Sequence, residues 1–331
     1  MPATHHDVAD LLSRLPSKIA YSCLEVALED GAVTRIPRRE LWDVRAQFMA
    51  EDDDGPGQGA EVLGDHDVKT GVYEGGFKSW ESSVDLVKVL ASEGYPSSCR
   101  GRPVRVIELG CGTALPSLAM FQWVLARERP PNAQPISFTL ADYNPSVLQL
   151  VTLPNFLLAW ALRRRHQDPS LRDAFSIEDE LELGPDILDA FRADLSVHGI
   201  TLSFLSGAWS PDFVQLLYCT HPAIPDTPSS PPLTVLLGAE TIYSPAALRA
   251  FAETVFAVLD REGADAGADA VALVAAKRLY FGVGGSMDDF IHMAESSGGH
   301  VTRLREETQG VRRGVVRCVL SSQGRAASFT P

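Results

Sequence analysis

The 331-residue sequence predicts an α/β fold, a mostly parallel sheet of seven strands with helices on both faces and an antiparallel last strand. Three observations carry this expectation. From residue 104 onward, β-branched runs alternate with helix-length segments, the pattern of parallel strands joined by crossover helices. The chain then closes on two strand-like segments with too few residues between them for a helix. Finally, the first strand runs directly into a glycine-rich turn that opens a helix.

Each element has its own signal. Residues 104–108 are a β-branched run, 115–127 carry a helical pattern, 136–141 form a second strand, and a helix follows Asn144. Further strands are expected at 200–205, 233–237 and 271–275, with helices at 84–90, 246–259 and 287–294. Residues 300–305 and 314–320 form the closing hairpin. Two interruptions read as insertions, the acidic and helical stretch 176–194 and the Pro-rich stretch 221–232. Ahead of the sheet, residues 7–50 combine a short helical pattern, a strand at 20–28 with Asp30-Gly31 as its turn, and the basic-apolar stretch Ile36-Pro37-Arg38-Arg39-Glu40-Leu41-Trp42. They read as an appendage that helps recognise or cover substrate and does not touch cofactor. The run 51–59, EDDDGPGQG, has the composition of a mobile linker. Residues 1–63 are therefore an N-terminal extension with an acidic linker, and 64–331 the main domain.

A formal net charge of −14, with no basic run long enough to track phosphates, argues against direct nucleic-acid binding and makes a basic protein the easier partner. Five scattered cysteines, Cys23, Cys99, Cys111, Cys219 and Cys318, lack the spacing of a disulfide framework or zinc site and point to a reducing intracellular compartment. The eight histidines are equally dispersed, so no metal is expected. Residues 1–10 lack a signal-peptide core and no apolar run is long enough for a bilayer, so the expectation is a soluble protein with no membrane contact.

The sharpest local signal is Val106-Ile107-Glu108-Leu109-Gly110-Cys111-Gly112-Thr113-Ala114. Gly110 and Gly112 permit a tight turn and close approach of a ligand to the backbone, although an ordinary strand-to-helix connection would use them equally. Leu115 stands where the dinucleotide pattern needs its third small residue, and Glu108 suits a cofactor bearing an ammonium group rather than a pyrophosphate. Asp142, at the end of the second strand, is placed to accept both hydroxyls of a ribose, or else to cap a turn. Ser79-Trp80-Glu81-Ser82-Ser83 precedes a helix, with core packing and capping as the alternatives. Ser206-Gly207-Ala208-Trp209 follows the third strand, where an indole could face an adenine or fill the core.

Together these segments resemble the seven-strand protein methyltransferases, and more closely the protein-histidine methyltransferases that modify a large-subunit ribosomal protein, in their fungal form. The resemblance rests on residues 69–81, 108–113, Ala141-Asp142-Tyr143-Asn144, Val151-Thr152-Leu153-Pro154-Asn155, Glu240-Thr241-Ile242-Tyr243 and Tyr280-Phe281-Gly282-Val283-Gly284-Gly285. The last two are the most discriminating. Pro37-Arg38-Arg39-Glu40-Leu41-Trp42-Asp43 is also similar to fungal members. The resemblance implies a Rossmann-like class I methyltransferase fold and S-adenosylmethionine as cofactor. Cofactor contacts are implied at Ser79, Trp80, Glu81, Ser82, Ser83, Glu108, Gly110, Gly112, Asp142, Tyr143, Asn144, Gly207, Trp209 and Ala239. Two departures stand out: Ala114, where many relatives have glycine, and Ala208, where an acidic residue is common and where the backbone amide could still meet the adenine.

The expected reaction is methyl transfer to a protein histidine, giving tele-methylhistidine. Glu240 is the leading candidate to accept the imidazole N–H and its developing charge, with Tyr243 and Tyr280 shaping the pocket; the plain alternative makes Glu240 a helix cap and Tyr243 packing. A lysine methyltransferase of the same fold, whose relatives usually carry Asp at this strand end, and a binding module that has lost the cofactor are the competing readings. A monomer in cytoplasm and nucleus is expected, with a large-subunit ribosomal protein as partner.

Overall fold

The computed structural model describes residues 1–51, 76–99, 101–127, 133–220, 231–263, 269–280, 282 and 284–320. The domain boundary near Gly64, residues 69–75 of the methyltransferase-like stretch, most of the Pro-rich insertion, and Phe281 and Val283 lie outside them. In chain order the elements begin β1 Thr4–His6, α1 Val8–Ser13, β2 Lys18–Ala27, β3 Val33–Arg39 and α2 Leu41–Glu51. Next come α3 Glu81–Ser92, α4 Tyr95–Ser98, β4 Val104–Leu109, α5 Leu115–Leu125, β5 Ile136–Asp142 and α6 Pro145–Arg164. They continue with α7 Pro169–Ala174, β6 Glu180–Glu182, α8 Pro185–Val197, β7 Ile200–Ser206, α9 Pro211–Thr220 and β8 Leu233–Ala239. The last are α10 Pro245–Glu262, β9 Asp269–Lys277, α11 Met287–Ser296, β10 Gly299–Glu307 and β11 Arg313–Leu320.

The main sheet has the order β1-β7-β5-β4-β8-β9-β11-β10. The five central strands from β7 to β9 are parallel, and β11 runs antiparallel between β9 and β10. All seven expected strands are present. Their apolar character follows from burial on both faces: every residue of β5 is buried. On one face, α3, α5 and α6 enclose a core that includes Leu86, Phe121, Phe138 and Phe156; on the other, α9, α10 and α11 enclose Phe213, Phe251 and Phe290. Chain order reverses across β4, whose neighbours are β5 and β8, so a crevice opens beyond its carboxyl end.

The N-terminal segment departs from the appendage expected of it. β1 adds an eighth strand, antiparallel to β7 with Thr4 opposite Ser206. β2, β3 and β6 form a second, three-stranded sheet whose Ile19 and Ile36 join Leu11, Tyr21 and Val26 in the same core as Phe121 and Phe156. The stretch 176–194, expected to be helical, supplies β6 before its helix begins at Pro185.

A buried arginine ties the two parts together. Pro154 has no N–H to give the carbonyl of Leu150 one turn earlier, and Arg39 Nη1 donates to that carbonyl at 3.0 Å instead. A π-helical turn at Leu148–Thr152 lies just ahead of Pro154 within α6. The amide of Arg39 donates to Asn155 Oδ1 at 2.8 Å, while Asn155 Nδ2 donates to the carbonyl of Thr113 at 3.1 Å. One buried asparagine thus links the N-terminal sheet to the glycine loop. Contrary to expectation, α6 is long and apolar enough, by length and composition, to cross a membrane, yet 78% of that apolar window is buried inside the fold. It is a core helix.

Candidate active site

A cavity of about 360 Å³ lies beyond the carboxyl ends of β4, β5 and β8, a size suited to a small-molecule site. The glycine loop forms part of its wall. Gly110 and Gly112 have φ of +67° and +50°, and a Cβ on Gly110 would stand 2.7 Å from Thr241 Cγ2. Ala114 ends the loop with φ 56°, in the left-handed region where glycine would carry the least strain. Thr152 Oγ1 donates to the carbonyl of Gly112 at 2.7 Å, so the π-helical turn braces the loop.

Two carboxylates meet this loop. Glu108 is buried, accepts the amide of Ser117 at 3.1 Å, and has its pKa pushed up to about 8 by burial, against the lowering effect of its hydrogen bonds from Ser117. Asp142 accepts the Gly112 amide through Oδ2 and the Asn144 amide through Oδ1, each at 3.0 Å. It shapes the turn and also lines the cavity.

Opposing groups await hydrogen bonds. Trp209 lines the cavity with its ring edge-on to Phe251 at 5.6 Å, and its Nε1 is buried with no partner among the described residues. Thr241 Oγ1 is in the same state. Two unpaired buried polar atoms, a cradle that a Cβ would fill and a buried carboxylate fit a ligand with a polar heterocycle, hydroxyls and an ammonium group.

Glu240 follows the last residue of β8 with φ 59°, a strained conformation of the kind kept at working sites. Its carboxylate accepts from Ser82 Oγ and from the Tyr280 hydroxyl at 2.5 Å, and Lys277 Nζ stands 4.0 Å away. Burial and that carboxylate push the Tyr280 phenol far above its ordinary range. The helix-cap alternative for Glu240 fails, because Ser244 caps α10 by accepting from Ala247. The two most discriminating pieces of sequence meet here. The Tyr280 amide donates to the Gly285 carbonyl at 3.1 Å, and a Cβ on Gly285 would collide with the Ile242 carbonyl.

Of the sequence-derived candidates, Trp80, Ser83, Glu108, Gly110, Gly112, Asp142, Tyr143, Trp209, Ala239, Glu240 and Tyr243 line the cavity. Others are not on its wall. Ser79 hydrogen-bonds Thr113 at 3.0 Å, Ser82 and Tyr280 stand behind Glu240, and Asn144 is buried in the Asp142 turn. Glu81 is exposed at the start of α3. Gly207, with φ +115°, makes room for the Pro2 backbone. Ala208 does line the cavity, but its amide donates to the Met1 carbonyl at 3.1 Å, so the amide contact considered for it is replaced by one within the chain. Gly76, Lys78, Thr113, Thr241 and Ser244 line the cavity without having been singled out. Thr241 was within reach, since it sits inside the Glu-Thr-Ile-Tyr piece.

No family model matches the chain. It is 36% identical over 266 residues to histidine protein methyltransferase 1 of Saccharomyces cerevisiae, covering 76% of this chain and 67% of the relative. To the protein of the same name in Schizosaccharomyces pombe it is 33% identical over 311 residues, covering 92% and 82%. A bovine homologue is 28% identical over 254 residues, covering 77% of this chain and 56% of its own length. Among solved structures, a putative class I S-adenosylmethionine-dependent methyltransferase from Listeria monocytogenes aligns at TM-score 0.37 with 10% identity, over 88% of this chain and 71% of its own.

Proposed function

The chain belongs to the histidine protein methyltransferase 1 family, and on that premise we propose that it methylates one histidine of a large-subunit ribosomal protein, using S-adenosylmethionine and giving tele-methylhistidine. The observation that carries this reading is the meeting of Glu240 and Tyr243 with the loop of Tyr280 and Gly285, on a cavity that also holds the glycine cradle.

When bound, S-adenosylmethionine supplies an already activated methyl electrophile. What the chain must provide is placement and charge. Glu108 is the group to meet the ammonium, Asp142 the ribose hydroxyls, and Trp209 the adenine through its ring face and free N–H. Imidazole, with an ordinary pKa of about 6.5, is largely neutral at cytosolic pH, so no strong base is needed. Glu240 accepts the far N–H of the acceptor ring and balances the positive charge that develops on it. Because Ser82 and Tyr280 already hold that carboxylate, little reorganisation accompanies the reaction.

Nε2 is the acceptor nitrogen favoured here, because Nδ1 lies beside the peptide backbone. A net charge of −14 favours encounter with a basic ribosomal protein, met before assembly buries its histidine against RNA. The enzyme acts as a monomer, in cytoplasm and nucleus. The test is to incubate the enzyme and methyl-labelled cofactor with large-subunit ribosomal proteins extracted from cells lacking the gene. Label in one protein band, recovered as tele-methylhistidine after hydrolysis, supports the reading. Label in methyllysine alone, or in no protein, overturns it.

A further inference from the structure

Lys277 ends β9, beside the carboxyl end of β8. Its Nζ lies 5.0 Å from the centre of the Trp80 ring, 5.6 Å from that of Tyr280 and 4.0 Å from Glu240 Oε2. Trp80 and Glu240 line the cavity, and the lysine side chain remains about one quarter exposed, at 24%. Two aromatic faces and a carboxylate around one point are the composition of a cage for an ammonium ion. Here the chain's own lysine fills it.

We propose that Lys277 is a specificity-determining residue, whose ammonium occupies the cage that a lysine acceptor would need and so restricts the site to a neutral imidazole. This rests on the histidine-methyltransferase reading above. A lysine acceptor arrives as a cation and must shed a proton before its nitrogen can attack. Next to Lys277 it would meet a like charge at short range, with the two ring faces already occupied. A neutral imidazole escapes that repulsion and can still give its N–H to Glu240. The pair Glu240 and Lys277 thereby divides two tasks: the carboxylate receives developing charge, while the ammonium refuses charge that arrives with the acceptor.

The test uses the full chain and two acceptors: the ribosomal protein labelled by the native enzyme, and the same protein with its target histidine replaced by lysine. Native enzyme should label the first and leave the second blank. Lys277→Met should bind S-adenosylhomocysteine as the native chain does and raise labelling of the lysine acceptor by about tenfold or more, the scale of relief from a neighbouring like charge. Lys277→Arg, which keeps the charge, should reject lysine as the native chain does. If Lys277→Met rejects the lysine acceptor as firmly as the native enzyme, the specificity role is overturned. Loss of both labels in Lys277→Met and Lys277→Arg, with S-adenosylhomocysteine binding intact, overturns it too, because Lys277 would then serve the reaction itself. If the native enzyme labels no histidine at all, the functional reading has failed, which is a different result.

Discussion

Replacing Glu108 by glutamine gives the sharpest test of how the cavity binds its cofactor. In the free protein, burial raises the Glu108 pKa from an ordinary 4.5 to about 8, so the side chain is mostly protonated at pH 7. An ammonium group placed against it favours the ionised form. Binding should then release up to about one proton per ligand at pH 7, and affinity should rise several-fold between pH 6 and pH 7 as the cost of that release falls. For the free protein the sign is opposite. A carboxyl whose folded pKa is raised contributes stability in full below its unfolded value near 4.5, and that stability is lost as pH rises through about 8. Calorimetry with S-adenosylhomocysteine in buffers of different ionisation heat reads the proton directly. Glu108→Gln should bind with neither proton release nor the steep pH slope. If the variant keeps the native slope, or the native protein shows none, Glu108 does not meet the ammonium.

Three further outcomes follow from the same geometry. Glu240→Gln should lower kcat by about 100-fold or more while leaving S-adenosylhomocysteine affinity within about twofold, as expected for loss of charge stabilisation in the transition state; an unchanged kcat in a methylation assay would remove Glu240 from the reaction. Glu262 is buried and accepts from Arg105 at 2.9 Å, Tyr218 at 2.8 Å and Thr234 at 2.6 Å, so Glu262→Ala should cost about 3–5 kcal/mol in urea unfolding. Removal of residues 1–39 should abolish cooperative unfolding, since it strips Ile19 and Ile36 from the core and leaves the Leu150 carbonyl without its Arg39 donor. A soluble truncated chain that still bound cofactor would show that the N-terminal sheet is dispensable.

The parallel strands were legible in the sequence because burial on both faces makes each a short apolar run, and the brief link between β10 and β11 betrayed the antiparallel ending. The edge strands were not. Thr4-His5-His6 and Glu180-Leu181-Glu182 are mostly polar and three residues long, and only their partners make them strands. The extension looked detachable for a related reason, because Arg39 reads as a surface charge until Pro154 leaves a carbonyl for it to satisfy. At the site, Glu108, Gly110 and Asp142 were readable because loop and strand-end chemistry is local. The cluster of Trp80, Glu240, Lys277 and Tyr280 was only partly so, since it is assembled by topology from three distant stretches. No spacing rule brings Lys277 to Glu240; the parallel pairing of β8 with β9 does.

The central claim is that this cavity serves methylation of a ribosomal histidine, and mass spectrometry of large-subunit ribosomal proteins tests it most directly. The cells compared lack the gene, or carry back either the native chain or Gly110→Arg, whose side chain would have to pass Thr241 and Trp209 to leave the cavity. The account predicts one histidine methyl group that is missing without the gene, restored by the native chain and not restored by an equally abundant, folded Gly110→Arg protein. A methyl group that persists without the gene, or that the arginine variant restores in full, would contradict it.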